Sequence, residues 1–346
     1  MFDSRVARGW DRRPYGYSMS GRLERRLLSE PSAGRPFASA PCSPRREGWL
    51  GLHETDLANL AIRCHFGKLA QHFRPDGGAM ELREIAWWGS ALADIASEAA
   101  AQPRDEDLLG DAALFNLGVA LFDGVVDNAP ERIPAIAESL SPVRLRQRLE
   151  RPSDPEAALT CADPQLELIV SLFNHTLGCV GQRCAGDAAW RDSLARTLRD
   201  MYASELGLNG EPLAAKTLPL VFLGHMVIRP GEGERPAREF FAHLSAFLAL
   251  WDDWVDLGAD ALALAPNAFL GSHPSRGWVA RISAVARGVA LAAGEVALEG
   301  RVSRRLTATL DATLESARLL PPAARDKTRN LCLRMLRVAP AAPACL

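Results

Sequence analysis

The sequence has little lysine and lacks several patterns that would assign it to a class at once. Among its 346 residues, lysine occurs only at Lys68, Lys216 and Lys327. No uninterrupted apolar run reaches the ~18 residues of a membrane span, and the N-terminus does not have the charged-then-apolar layout of a signal peptide. We therefore expect a cytoplasmic protein with no transmembrane segment.

Excess charge and paired cysteines are missing as well. The formal net charge is −2, so no basic field draws the protein to nucleic acid or to a membrane surface. The seven cysteines form no CxxC pair, which disfavours a disulfide framework and a zinc ribbon and favours reduced, mostly buried thiols. The length suits one large domain or two small ones.

Alternating β-type runs are nearly absent, and helical periodicity begins at Trp49. Residues 1–48 carry ten arginines against five acidic residues and scattered Pro, Gly and Ser, a composition typical of a disordered segment; an arm that caps an active site is the alternative. Residues 49–346 predict an all-α domain, a bundle of roughly eleven helices around a central cavity. Predicted helices include about 55–73, 80–101, 105–128, 134–148, 163–177, 187–207, 236–257 and 278–298, and one that starts at Pro212 and is bent by Pro219.

Two apolar helices carry the same pattern of aspartates. Asp123 and Asp127 are four residues apart in one, and Asp252 and Asp256 are four apart in the other. Asn116 and Ser245 extend each pattern seven residues towards the N-terminus, so each set follows one stripe of a helix. Solvated helix ends are the simpler interpretation, but acids near a helix C-terminus oppose the helix dipole, which favours a functional one.

Carboxylates on buried helices need cations, since an unpaired carboxylate in a core costs several kcal/mol. Oxygen-only ligands select Mg²⁺ or Mn²⁺ over zinc, and Mg²⁺ prefers a phosphate as a further ligand. The predicted lining around the acids is apolar and aromatic, with Phe115, Phe122 and Trp251 as candidates. An anionic mouth on an apolar pocket suits a substrate with a diphosphate head and a hydrocarbon tail.

These residues resemble motifs of the class I isoprenoid synthase superfamily, which includes terpene synthases and polyprenyl synthetases. Asp252-Asp253-Trp-Val-Asp256 resembles the DDxxD motif, and Asp123-Gly-Val-Val-Asp127 resembles the other aspartate-rich motif with its second Asp replaced. Lys216-Thr217 resembles the Lys-Thr/Ser pair whose lysine contacts the diphosphate in polyprenyl synthetases. The resemblance implies Mg²⁺ ligation by the aspartates and diphosphate binding by Lys216 and Thr217.

Several departures from the family favour a reaction with a single substrate. The Gly-Lys-x-x-Arg-Pro stretch and the paired arginines of chain-elongating enzymes are absent, whereas Asp252, Asp256 and Asp260 match the i, i+4, i+8 metal ligands of terpene cyclases. The prediction is a Mg²⁺-dependent terpene cyclase-like lyase that ionises an allylic isoprenyl diphosphate. Two alternatives stay open: a prenyltransferase, chain-elongating or head-to-head, and a catalytically degenerate prenyl-binding protein that supports a partner. The oligomeric state is open too, with a homodimer among the alternatives.

Overall fold

A computed structural model describes residue 23 and residues 25–29, 82–163, 166–206, 212–231, 233–255, 267–269 and 296–337. The regular elements of these residues are helices, so the predicted all-α class is confirmed. The predicted helices at 55–73 and 278–298 lie wholly or largely outside the described residues, as do most of residues 1–48.

Ten α-helices run through the described chain. In order they are α1 (Leu82–Ala99), α2 (Glu106–Asn128), α3 (Ile133–Ser139), α4 (Pro142–Glu150), α5 (Glu167–Arg183), α6 (Ala188–Glu205), α7 (Pro212–His225), α8 (Arg235–Val255), α9 (Val296–Ala317) and α10 (Pro322–Arg337). Two short 3₁₀ turns lie at Pro130–Arg132 and Pro155–Ala157.

The chain divides into two compact units. Unit 1 combines Met1–Phe37, Gly207–Thr217 and Glu239–Leu346, and unit 2 combines Ala38–Leu206 and Leu218–Arg238. The Asp252 motif and Lys216 therefore belong to unit 1, and the Asp123 motif belongs to unit 2. The predicted boundary between residues 48 and 49 stays a prediction.

Helix α2, which carries the first aspartate motif, is a core helix of unit 2. Asp105 caps its N-terminus by accepting the backbone N–H groups of Asp107 and Leu108, which satisfies donors that have no partner within the helix. In the part of the chain that the structure describes, Glu106–Val126 is the one segment long and apolar enough to cross a membrane, and 78% of its most apolar window is buried inside the protein. That burial is what a core helix of a globular protein shows.

Close packing of α1 on α2 depends on a glycine. A Cβ atom on Gly89 would lie 2.4 Å from the carbonyl oxygen of Ala112 and 2.7 Å from the Cβ of Asn116. Any larger residue would therefore push the two helices apart. Asn116, predicted to extend the first aspartate stripe, donates its side-chain N–H to the carbonyl of Ile85 at 2.7 Å and so joins α2 to α1.

Two predicted helix bounds are wrong, and both errors have a physical cause. The helix predicted over 134–148 is two helices, because Leu140 and Ser141 end α3 and Pro142 opens α4. The helix predicted to end at Leu177 continues to Arg183. Gly178 and Gly181 lie inside it as contact positions rather than stops: a Cβ on Gly181 would meet the carbonyl oxygen of Leu149 at 2.5 Å.

A helical turn near the N-terminus packs into unit 1. Leu23 and Leu27 are buried, and the guanidinium of Arg26 lies 2.7 Å from the carboxylate of Asp311 on α9. This turn coincides with the one short apolar patch of the Arg-rich segment. At residues 23 and 25–29, the segment predicted to be disordered therefore makes specific contacts.

The C-terminal end of α7 is held in unit 2 by a partly buried network around His225. Arg238 donates to Nε2 of His225 at 3.0 Å, and Nδ1 of His225 lies 3.3 Å from the hydroxyl of Thr197. The Thr197 hydroxyl gives its own proton to the carbonyl of Ser193. Since arginine can only donate, His225 must be neutral, with its proton on Nδ1. Burial, and after it the charge of Arg238, lowers the pKa of His225 to about 3.

Because folded His225 is neutral, it makes the protein less stable as the pH falls. The unfolded chain binds a proton at an ordinary pKa of about 6.5, whereas folded His225 binds one only near 3. Its contribution to stability is therefore present above pH ~6.5 and is lost as the pH falls towards 3. We expect wild-type protein to lose about 3 kcal/mol more unfolding free energy than His225→Gln between pH 7 and pH 4.

Urea unfolding of the two proteins across that pH range measures the difference. Parallel curves for wild type and His225→Gln would contradict the assigned neutral state.

Candidate metal and diphosphate site

The second aspartate motif lies at the C-terminal end of α8, where the side chains alternate between the core and solvent. Trp251 is buried, the Asp252 side chain is 56% exposed, and the Asp253 side chain is 1% exposed. Helical geometry produces this difference, because the side chains of adjacent residues point about 100° apart around the helix axis. Of the two neighbouring acids, only Asp252 offers its carboxylate to solvent.

Lys216, near the start of α7, joins both acids. Its Nζ lies 2.7 Å from Oδ2 of Asp252 and 2.8 Å from Oδ1 of Asp253. The contact with Asp252 is a hydrogen bond, and the contact with Asp253 is an ion pair rather than a well-directed hydrogen bond. Burial alone would lower the pKa of Lys216, but the two carboxylates reverse that effect and raise it above its ordinary value. Lys216 is therefore an ammonium ion.

Asp253 is anchored from a second direction. Its Oδ2 accepts the backbone N–H of Ala268 at 2.7 Å, and its backbone carbonyl accepts the side-chain N–H of Asn267 at 2.7 Å. Burial raises the pKa of Asp253 above its ordinary value, and the ammonium of Lys216 offsets part of that rise. Because the two groups lie 2.8 Å apart, they form a carboxylate–ammonium pair. Asp253 was predicted as a metal ligand, but its contacts fit a residue that positions Lys216.

Charge and chemistry at this cluster suit a hard cation. Two carboxylates and one ammonium leave a net charge of −1. The ammonium has three N–H donors, and Asp252 and Asp253 face two of them. Asp252 supplies an exposed carboxylate oxygen, the ligand type that Mg²⁺ and Mn²⁺ prefer. The cluster can therefore hold a divalent cation at Asp252 and an anionic oxygen at Lys216.

Two other polar residues of the predicted site are engaged with backbone. The hydroxyl of Thr217 donates to the carbonyl of Leu213 at 2.7 Å. The hydroxyl of Ser245, fully buried, donates to the carbonyl of Phe241 at 2.7 Å. Both are bonds within the residue's own helix. Diphosphate binding by Thr217 stays a prediction.

The first aspartate motif is described in part. Asp123 is exposed on α2. The side chain of Asp127 lies outside the described residues, and so do Asp256 and Asp260. Because Asp123 and Asp252 belong to different units, the prediction that their two stripes face each other stays a prediction.

The aromatic residues proposed to contact substrate lie in the cores of the units. Phe115 packs on Phe222, with 4.4 Å between ring centroids, and edge-on against Phe173. Phe122 also meets Phe173 edge-on. Phe115 and Phe122 are almost completely buried, so in this conformation they border no space that water can enter. Substrate contact by these rings stays a prediction and requires the cluster to open.

A second cluster in unit 2 was not predicted from the sequence. Nε2 of His175 lies 3.4 Å from Oδ1 of Asp111 and 3.7 Å from Sγ of Cys179. The hydrogen bond to Asp111, and after it the contact with Cys179, raises the pKa of His175 to about 10. Arg183 extends the cluster by pairing with Asp105 at 2.5 Å. The available signal was the spacing of His175, Cys179 and Arg183 at i, i+4 and i+8, which places them on one face of α5.

Comparisons with known proteins do not assign this chain to a family. No protein-family model matches the chain, and no curated protein matches it in sequence. A similar solved structure is the linalool/nerolidol synthase of Streptomyces clavuligerus in complex with 2-fluorogeranyl diphosphate, with 18% identity, coverage of 82% of this chain and 92% of that chain, and a TM-score of 0.36. A likeness of that strength does not assign the chain to a family, so the resemblance to class I isoprenoid synthases rests on the two aspartate motifs and Lys216.

Proposed function

We propose that this protein is a Mg²⁺-dependent, terpene cyclase-like enzyme that ionises an allylic isoprenyl diphosphate and releases diphosphate. The observation that carries the proposal is the contact of Lys216 with Asp252 and Asp253. The sequence resemblance assigned the lysine and the acids to one site although 36 residues separate Lys216 from Asp252. Their meeting at 2.7 Å supports that assignment.

Each residue of the cluster has a separate task in this proposal. Asp252 in unit 1 and Asp123 in unit 2 would each bind a divalent cation, which when bound supplies Lewis-acid stabilisation of the departing diphosphate. The ammonium of Lys216 donates to a diphosphate oxygen as negative charge develops there. Asp253 keeps that ammonium charged and in place, because its own position is fixed by Ala268 and Asn267.

The geometry also suggests a sequence of events at Lys216. Its ammonium is shared between an exposed carboxylate and a buried one. Asp252 would give up its hydrogen bond to Lys216 when it holds a divalent cation, and one N–H donor of the ammonium would then be available to a diphosphate oxygen. The ion pair with buried Asp253 holds the lysine in the site meanwhile. Cation binding at Asp252 and diphosphate binding at Lys216 should therefore favour each other.

Two other functions remain as alternatives. A chain-elongating prenyltransferase would need a second substrate, isopentenyl diphosphate, and the sequence lacks the family's arginines for it. A head-to-head prenyltransferase would join two molecules of the same allylic diphosphate, so its product would have twice the carbon number. A degenerate prenyl-binding protein would bind Mg²⁺ and diphosphate without turnover, which the replacement of the second Asp of the first motif by Gly124 makes a real alternative.

Turnover with and without the second substrate separates the three functions. We expect purified protein with Mg²⁺ to convert geranyl, farnesyl or geranylgeranyl diphosphate alone into a hydrocarbon or an alcohol and free diphosphate, detected by gas chromatography and a diphosphate assay. Products that form only after isopentenyl diphosphate is added would identify a prenyltransferase. A rise in melting temperature with Mg²⁺ and inorganic diphosphate, with no product from any of these substrates, would identify the degenerate protein.

A further inference from the structure

Three side chains of different chemistry converge where α2 and α5 pack together in unit 2. They are Asp111 from α2, and His175 and Cys179 from successive turns of α5. One ligand atom from each, a carboxylate oxygen, an imidazole nitrogen and a sulfur, lies within 4.8 Å of the other two. None of them takes part in the proposed diphosphate chemistry.

The two separations measured from His175 are close to the edges of a tetrahedral metal site. With bonds of ~2.0 Å to nitrogen and oxygen and ~2.3 Å to sulfur, a tetrahedral zinc ion places its ligand atoms roughly 3.3–3.5 Å apart. Here Nε2 of His175 lies 3.4 Å from Oδ1 of Asp111 and 3.7 Å from Sγ of Cys179. The third separation, between the carboxylate oxygen of Asp111 and Sγ of Cys179, is at most 4.8 Å, so an approach of at most about 1.3 Å between these two side chains would let all three atoms bind one ion.

Nε2 of His175 makes both contacts, and this geometry excludes a Cys-His-Asp catalytic triad. In a Cys-His-Asp catalytic triad, the two ring nitrogens of the histidine would serve the thiol and the carboxylate separately. In this cluster Nε2 faces both Asp111 and Cys179. In either charge state of the ring, Nε2 carries at most one hydrogen and can donate it fully to only one partner, whereas a metal ion can join all three atoms.

The donor set points to zinc rather than to magnesium. Thiolate and imidazole are the ligands that select zinc and related transition metals, and Mg²⁺ takes oxygen ligands only. The three ligands are also held firmly in place, because all of them lie on well-formed helices and Asp111 is only 7% exposed. Sites built on helices hold their ligands more rigidly than sites on loops.

Charges around the cluster permit a divalent cation. One fixed positive charge beside the cluster is Arg183, whose Nε lies 3.9 Å from Oδ2 of Asp111; Arg148 also interacts electrostatically with Cys179. The Arg183 guanidinium is already paired with Asp105 at 2.5 Å. Arg183 therefore orients the far oxygen of Asp111, and Oδ1 is left to face His175.

We propose that Asp111, His175 and Cys179 form a zinc site with a fourth position open to solvent. The open position follows from exposure: the side chain of His175 is 34% exposed and Cys179 is partly exposed, so water can reach the ion. Three protein ligands and one water are the arrangement of reactive rather than purely structural zinc sites. The site is independent of the Mg²⁺ site proposed at Asp252.

Cobalt(II) tests the proposal directly because it replaces zinc in such sites and is coloured. We expect one equivalent of Co²⁺ to give a cobalt–thiolate charge-transfer band and the visible bands of tetrahedral cobalt, both abolished by one equivalent of Zn²⁺ and unchanged by excess Mg²⁺. Cys179→Ser should remove the charge-transfer band, and His175→Ala should weaken cobalt binding at least about 100-fold. The matched control Cys161→Ser, which alters another partly exposed thiol, should keep the wild-type spectrum.

Alkylation of the wild-type protein gives a second test that no folding defect can obscure. Zn²⁺ should slow the reaction of Cys179 with iodoacetamide at least about tenfold, while the rate at Cys161, followed by peptide mass spectrometry, should not change. Absence of a cobalt–thiolate band in the wild type, its persistence in Cys179→Ser, or equal alkylation of Cys179 with and without Zn²⁺ would overturn the proposal. Asp252→Asn should leave both results unchanged, so failure of the zinc site and failure of the Mg²⁺ site are distinguishable.

Discussion

Replacing Lys216 by methionine should lower the free energy of unfolding by about 3 kcal/mol. This value is the lower end of the loss that is typical when one partner of a buried ion pair is removed. The loss arises at Asp253, whose side chain is 1% exposed. Without the ammonium, that carboxylate keeps the N–H of Ala268 but loses its counterion in a site that water does not reach. Methionine retains most of the apolar stem of lysine, so the change is mainly electrostatic. Urea unfolding measures the difference.

The control for this prediction is to remove the carboxylate charge of Asp253, which has lost its counterion in the Lys216→Met variant. Asp253→Asn in the Lys216→Met background should restore at least half of the lost stability, because the amide oxygen can still accept from Ala268. Asp252→Asn in the same background should restore little, since the Asp252 side chain is 56% exposed and exposed pairs contribute only about 0–1 kcal/mol. Equal rescue by the two substitutions would show that Asp253 is not the buried partner.

Replacing Asp252 or Asp123 by asparagine should reduce diphosphate release at least about 100-fold, the scale of losing one stabilising group in a charged transition state. Each change removes a metal-binding charge and keeps the shape of the side chain. Both residues are exposed, so stability should change by less than about 1 kcal/mol. Initial rates of diphosphate release at saturating Mg²⁺ measure the effect.

The matched control is Glu106→Gln. Glu106 is an exposed acid on the same helix as Asp123, in its first turn, and pairs with Arg104 at 2.7 Å. Its replacement should leave the rate within about twofold. A comparable loss in Glu106→Gln and Asp123→Asn would indicate a general charge effect rather than metal ligation.

Sequence periodicity predicted the helices of this protein well where an apolar stripe and a cap coincide. Helices α2 and α6 begin after Asp105 and Asp187, the residues predicted to start them. The contact of Lys216 with Asp252 was not itself predicted: the motif resemblance implied only that Lys216 binds diphosphate and that Asp252 binds a metal ion.

Other features depend on packing between helices, and no local pattern encodes it. The helix predicted to end at Leu177 continues through Gly178 and Gly181, which are positions where α4 approaches α5. The unequal burial of Asp252 and Asp253 depends on the chain at Asn267 and Ala268. The cluster of Asp111, His175 and Cys179 combines residues from two helices, and no single stretch of sequence displays it.

The most direct test of the central claim is the rate of diphosphate release from farnesyl and geranylgeranyl diphosphate by wild-type protein, measured with Mg²⁺ and again after chelation by EDTA. The claim predicts release with Mg²⁺ that falls to the uncatalysed rate after chelation and returns when excess Mg²⁺ is restored. The claim would be contradicted if, with Mg²⁺ present, diphosphate were released from geranyl, farnesyl and geranylgeranyl diphosphate no faster than in protein-free buffer.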